Sequence, residues 1–113
     1  MSITIETQEL SKIIINALED VKAKEITVID TQNMTKMFDQ VIIASGTSNT
    51  QTKALAHRVS QHVKQSGGTV QSIEGLDTGE WVLVDCIDIV VHIMLPPIRA
   101  YYNIEGVWAK NKS

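Results

Sequence analysis

Long apolar runs are missing from this 113-residue chain, and none approaches the ~20 residues that a membrane-spanning helix needs. The first ten residues, MSITIETQEL, lack a basic segment followed by an apolar one, so no secretory signal is expected. Cysteine occurs once, at Cys86, which excludes an internal disulfide and suits a reducing compartment such as the cytoplasm. Basic clusters are missing as well. The ten Lys and Arg residues are scattered and the net charge is −3, so the basic stripe of a duplex nucleic-acid binder is not there. An acidic chain still suits a basic protein partner, including one seated on nucleic acid. There is no internal repeat, no low-complexity stretch and no Pro/Gly/Ser linker. With 43% hydrophobic and 20% charged residues, the chain reads as one folded domain spanning 1–113 with its own core.

What is present is an alternation of two periodicities. Leu10, Ile13, Ile14, Ala17, Leu18 and Val21 recur at helical spacing and predict a helix over 6–23, with Glu6 or Thr7 at its cap. A β-rich strand follows at 26–30, then the polar connection QNMTKM. A second strand at 39–45 has the continuous apolar centre expected where both faces of a sheet are covered. Thr47 or Ser48 then caps a helix over 48–66, carried by Leu55, Ala56, Val59 and Val63 and ended by Gly67-Gly68. A third strand at 69–73 completes a strand–helix–strand crossover with parallel strands. Strands at 80–86 and 88–95 are separated by almost nothing and predict an antiparallel hairpin with Cys86-Ile87 as its turn. Pro96-Pro97 ends the last strand. Ile98, Tyr101, Ile104 and Trp108 suggest a final helix over 98–108, weakened at Gly106. The order α-β-β-α-β-β-β-α predicts an α/β domain with a mixed five-stranded sheet and flanking helices.

Parity divides the hairpin. Val82, Val84 and Cys86 share one face with Ile89, Val91, Ile93 and Leu95, which must be core. The other face carries Trp81, Leu83, Asp85, Asp88, Val90, His92 and Met94, with Trp81 set opposite His92. Two readings of this mixed face stay open: a helix covers it with the acids at the rim, or it docks a protein, since Trp, Met and Tyr favour interface centres.

The stretch IIASGTSNTQT, residues 42–52, raises the question of a phosphate cradle, because a strand, a glycine turn and a helix start meet there. Neither GxxxxGK[ST] nor GxGxxG is present, and no Lys or Arg immediately follows Gly46. Asp85 and Asp88 flank a turn, and other acids such as Asp30 and Asp39 have no fixed partner. A turn and an N-cap explain every residue of the stretch. His57 and His62 are five apart on one helix and point in different directions, and no cysteine sits near them at ligand spacing, so no metal or other cofactor is expected. Cys86, Ser45 and Ser48 lack the basic neighbour or His-Asp support of a nucleophile, so no catalytic residue is expected. In PIRAYYNIEGVW, two readings again stay open. Tyr101 and Trp108 pack on the sheet while Arg99 pairs with an acid, or this helix touches a partner.

Taken together, FDQVIIASGTSNTQ, EGLDTGEWVLVD, DIVVHIM and RAYYNIEGVW resemble the bacterial ribosomal silencing factor family, related to plant Iojap. The matching residues run from Ile26 to Trp108 and include Phe38, Asp39, Gly46, Thr47, Ser48, Glu74, Gly75, Trp81, Val82, Leu83, Asp85, Val90, Val91, His92, Arg99, Tyr102, Glu105 and Trp108. The resemblance implies a nucleotidyltransferase-like fold without that enzyme's activity. It implies binding to large-subunit ribosomal protein fourteen, which keeps the subunits apart and represses translation when nutrients are short, and homodimers when free. Two features depart from the family pattern. Ile87 stands where a glycine is usual in the hairpin turn, and a β-branched residue resists positive φ. Leu95-Pro96-Pro97-Ile98 is apolar where relatives are polar and acidic. The expected docking patch is Trp81, Leu83, His92 and Met94, supported by Arg99 and Tyr102, with Glu74 and Gly75 shaping the adjacent loop and Asp85 pairing with a basic group. The rival functions are a large-subunit assembly factor and a nucleotide-binding enzyme using Gly46 to Ser48.

Overall fold

The structure, a computed structural model, describes residues 6–109. Its elements are α1 (Thr7–Asp20), β1 (Lys24–Asp30), β2 (Gln40–Ser45), α2 (Asn49–Gln65), β3 (Ser72–Glu74), β4 (Trp81–Asp85), β5 (Ile89–Met94), α3 (Pro96–Tyr102) and α4 (Ile104–Ala109). The strands form one five-stranded sheet in the order β1-β2-β5-β4-β3. β2 and β5 run parallel, and every other neighbouring pair is antiparallel. The expected mixed α/β architecture is therefore present, with its last helix in two pieces.

The continuous apolar run of β2 behaves as a strand covered on both faces. Val41, Ile42, Ile43 and Ala44 are all fully buried. On the first face, α1 contributes Leu10, Ile14, Ala17 and Leu18, and α2 contributes Leu55, Ala56, Val59 and Val63. They pack onto Ile42, Ala44, Val82, Val84, Ile89, Val91 and Ile93. On the second face, Val41, Ile43 and Met94 are covered by Ile98, Ile104 and Trp108 of the C-terminal helices and by Phe38. That second cover lies over the β1–β2 side and leaves the β4–β3 side open.

Helix α1 ends at Asp20, not at 23, because Lys22 turns left-handed (φ 64) and the Ala23 N–H reaches back to the Leu18 carbonyl at 2.9 Å. Glu6 makes no side-chain cap, and the Thr7 hydroxyl donates instead to the Asp39 carboxylate at 2.6 Å. Helix α2 follows the expectation. Ser48 accepts from the Gln51 N–H, and the glycine pair closes the far end, with Gly67 at φ 89 and the Gly68 N–H on the Val63 carbonyl. Strand β3 begins at Ser72, later than expected. It runs in the same direction as β2, but β5 and β4 lie between them.

The hairpin turn is Ile87-Asp88 rather than Cys86-Ile87, since the Cys86 N–H bonds the Ile89 carbonyl at 2.9 Å. The register therefore sets Leu83 opposite His92 and Trp81 opposite Met94. A slip of two preserves the face of every side chain, so the parity argument survives the shift. Ile87 does adopt the positive φ that its side chain resists, at 72°. The Asp88 N–H closes a three-residue ring onto the Cys86 carbonyl, and the Asp85 carboxylate holds the Ile87 N–H at 2.9 Å. Strain of about 1–2 kcal/mol is held there by those bonds. The C-terminal helix breaks at Asn103 (φ 46), not at Gly106. Trp108 packs edge-on against Phe38, whereas Tyr101, which one of the two readings packed on the sheet, is 81% exposed.

Candidate functional site

The open half of the second face forms a cleft of about 450 Å³. Its floor is Leu83 of β4 with Val90 and His92 of β5, brought together by the cross-strand register. Glu74 and Gln71 stand on the β3 side, Asp85 and Ile87 at the hairpin end, and Met37 and Phe38 on the remaining wall. Met37 is 81% exposed and Ile87 45%, so apolar atoms reach solvent around an opening whose charged lining residues, Glu74 and Asp85, are both acidic.

Trp81 borders this ground and orders it. Its indole N–H donates to Nδ1 of His92 at 3.0 Å, diagonally across the hairpin. Its ring also lies 4.9 Å from that of Tyr102, which in turn meets Tyr101 edge-on at 5.0 Å. Burial lowers the His92 pKa to about 4, so the imidazole is neutral at physiological pH. Trp81 and His92 are half-buried but not sealed, and Tyr102 is exposed. The loop before β4 turns at Gly75. Gly75 has φ 90, and a side chain there would collide with the Trp81 carbonyl.

Two expected contact residues are corrected. Met94 is fully buried, because its side chain enters the cluster with Val41 and Ile43 beneath α3 and α4. Arg99 is buried too, and its whole guanidinium is used inside the molecule. It donates to Glu105, to the Glu25 carbonyl at 2.7 Å, to the Ser45 hydroxyl at 2.9 Å and to the Thr27 hydroxyl at 3.1 Å. The Arg99 hydrogen bond holds the Glu105 carboxyl below its ordinary range. Met94 packs in the same cluster as Trp81, whereas Arg99 ties α3 to β1, to the end of β2 and to Glu105. Conversely, Met37, Val90 and Ile87 line the cleft but were not chosen from the sequence. Parity places Val90 on this face without marking it as a contact, whereas Met37, in a polar connection, gives no signal.

The Gly46 turn is filled by the chain itself. The Gly46 N–H bonds the Met94 carbonyl at 3.1 Å, and the Thr47 N–H and hydroxyl both donate to Gln51. The same Gln51 amide donates to the Val21 carbonyl at 2.9 Å. A side chain on Gly46 would come within 2.7 Å of the Thr52 methyl, so glycine here permits close packing of helix on strand. Thr52 in turn donates to the Gly79 carbonyl, and Asn49 to that of Thr78 at 2.6 Å, tying the start of α2 to the loop that leads into Trp81. Burial, with the Asp85 charge beside it, pushes the Cys86 thiol up to about 12, which leaves it unreactive at neutral pH. Among the described residues, no three His, Cys, Asp or Glu side chains come together as a metal set, and no helix is long and apolar enough to cross a membrane.

The chain matches the family described as ribosomal silencing factor during starvation over residues 4–113. It is 49% identical over 108 residues to the ribosomal silencing factor RsfS of Chromobacterium violaceum, spanning 96% of this chain and 88% of that one. A crystal structure of a Chromobacterium violaceum protein, also 49% identical, superposes with a TM-score of 0.92 over 96% of this chain and 91% of the other. A Mus musculus protein named mitochondrial assembly of ribosomal large subunit protein 1 is 32% identical over 98 residues, covering 84% of this chain and 43% of that protein. With these matches beside the fold, the chain belongs to the ribosomal silencing factor family.

Proposed function

We propose that this chain is a non-enzymatic, cytoplasmic repressor of translation. It binds large-subunit ribosomal protein fourteen on the large ribosomal subunit and blocks joining of the small subunit under nutrient limitation. The contact residues are Trp81, Leu83, Asp85, His92 and Tyr102, with Glu74 and Gly75 forming the adjoining loop. The observation that carries this reading is the uncovered half of the sheet's second face, an apolar floor with acidic side chains beside it. Such a surface suits a basic ribosomal protein, with aromatic anchors at its edge and charge steering the approach. No chemical step is needed. A bound body occupies the place of another, and each ~1.4 kcal/mol of contact energy changes occupancy tenfold. When free, the chain forms homodimers.

The test is co-sedimentation with purified large subunits. Leu83→Arg puts a long cation on the floor of the cleft; it should keep the circular dichroism of the wild type and lose sedimentation. A folded variant that sediments as well as wild type removes this face from the reading. A second reading, assembly of the large subunit, is favoured by the name of the mouse relative. Sucrose-gradient profiles of depleted cells decide between them: precursor particles point to assembly, and an excess of joined subunits points to silencing.

A further inference from the structure

His92 is more sharply defined than a half-buried histidine on an apolar face need be. An indole N–H can only donate, so the 3.0 Å bond from Trp81 requires that Nδ1 of His92 carry no proton. The remaining ring proton sits on Nε2, on the edge of the imidazole turned away from Trp81. His92 lines the cleft beside Leu83 and Val90 and Trp81 does not, and with Nδ1 taken by the indole the polar atom left on the ring is Nε2. Among the described residues, the Trp81 contact is the single hydrogen bond of the His92 side chain. Nε2–H is therefore a donor without a protein acceptor that solvent still reaches, and a docked partner that excluded that solvent would have to replace its hydrogen bond.

The surroundings limit what can meet it. Glu74 and Asp85 are the charged groups lining the cleft, and no Lys or Arg lines it. A carboxylate or phosphate approaching Nε2–H would meet both acids. A neutral carbonyl flanked by basic side chains would satisfy the donor and the acids together. We propose that His92 is a specificity-determining donor whose Nε2–H receives a neutral carbonyl oxygen, from peptide backbone or side-chain amide, carried by a basic segment of the docked partner. This rests on the docking reading above and adds to it the polar contact that fixes the partner's register on an otherwise greasy floor. Trp81 acts through His92 as a positioning residue, since its indole sets which nitrogen faces outward.

Binding to purified large ribosomal subunits, measured by titrated co-sedimentation, tests this with three variants. His92→Phe keeps a flat ring and removes the donor; affinity should fall about tenfold, the effect of one stranded hydrogen-bonding group. His92→Gln offers an oxygen to Trp81 and an N–H to the cleft, and should recover most of that loss. Leu83→Arg should abolish binding whatever His92 does. If His92→Phe binds within twofold of wild type while Leu83→Arg fails, the donor role is overturned and the docking face stands. If wild type does not bind, or Leu83→Arg binds normally, the docking reading falls first and this one with it. Nitrogen-15 spectra of the imidazole in the free wild-type protein give a check that needs no variant. Protonated Nε2 is expected, and protonated Nδ1 overturns the assignment.

Discussion

The two faces of the sheet are built from the same strands by the same alternation, yet they do different work. On the first face, two long helices seal a single apolar cluster, and the apolar residues that β2, β4 and β5 turn to it are fully buried. On the second, two short helices seal only one half, and the other half is left with a tryptophan, a histidine, a leucine and two acids at a shallow opening. On the docking proposed above, the difference keeps stability and recognition apart. Substitutions on the sealed face should act on folding and leave docking intact in the folded fraction. Substitutions on the open half should do the reverse.

The largest expected effect comes from breaking the sealed face. Leu55→Ala removes a fully buried side chain between α2 and the sheet and should lower unfolding free energy by about 2–5 kcal/mol in denaturant titration, with subunit binding of the folded protein unchanged. Next comes pH. The folded His92 pKa lies below the unfolded one, so its stability contribution is whole above about 6.5 and is lost as pH falls towards about 4, by up to about 3 kcal/mol. Glu105, also lowered, adds a loss at more acidic pH, as its carboxylate protonates and releases Arg99. Thermal melts between pH 7 and pH 4 should show the first decline, and His92→Phe should flatten it. A smaller effect follows from Arg99→Ala, which cuts the ties of α3 to β1, β2 and Glu105. It should destabilise by about 2 kcal/mol and also weaken docking, because α3 carries Tyr102 onto Trp81. The smallest is a gain. Ile87→Gly relieves positive φ and should raise stability by about 1 kcal/mol, readable as a higher melting temperature.

Much of the first face was legible because helical and alternating periods name the side chains that must share a core. Leu55, Val59, Val84 and Val91 could be placed before any coordinates. The second face was only half legible. Alternation put Met94 beside Trp81 and His92, but the period says nothing about how far a short terminal helix reaches, and that reach buries Met94. Arg99 was half legible: pairing with an acid was one of its two readings, and Glu105 is that acid. The Arg99 acceptors Thr27 and Ser45 lie 72 and 54 residues away along the chain, so no local pattern links them. The hairpin slipped by two because a β-branched residue in a left-handed turn contradicts local preference, and the bonds from Asp85 and Cys86 that hold it appear only in three dimensions.

The two tryptophans of the chain both pack against the Val41, Ile43 and Met94 cluster, but they meet different neighbours. Trp108 rests edge-on against Phe38 under the closed part, while Trp81 leans on His92 and Tyr102 at the margin of the open part. The molecule thus carries a matched pair of native optical reporters. With Trp108→Phe, the remaining emission follows what settles into the opening; with Trp81→Phe, it follows whether the C-terminal cap is still seated. Because Tyr102 of α3 lies against Trp81, the Trp81 signal also registers loss of the cap, and the Trp108 signal recorded beside it shows which of the two events has occurred.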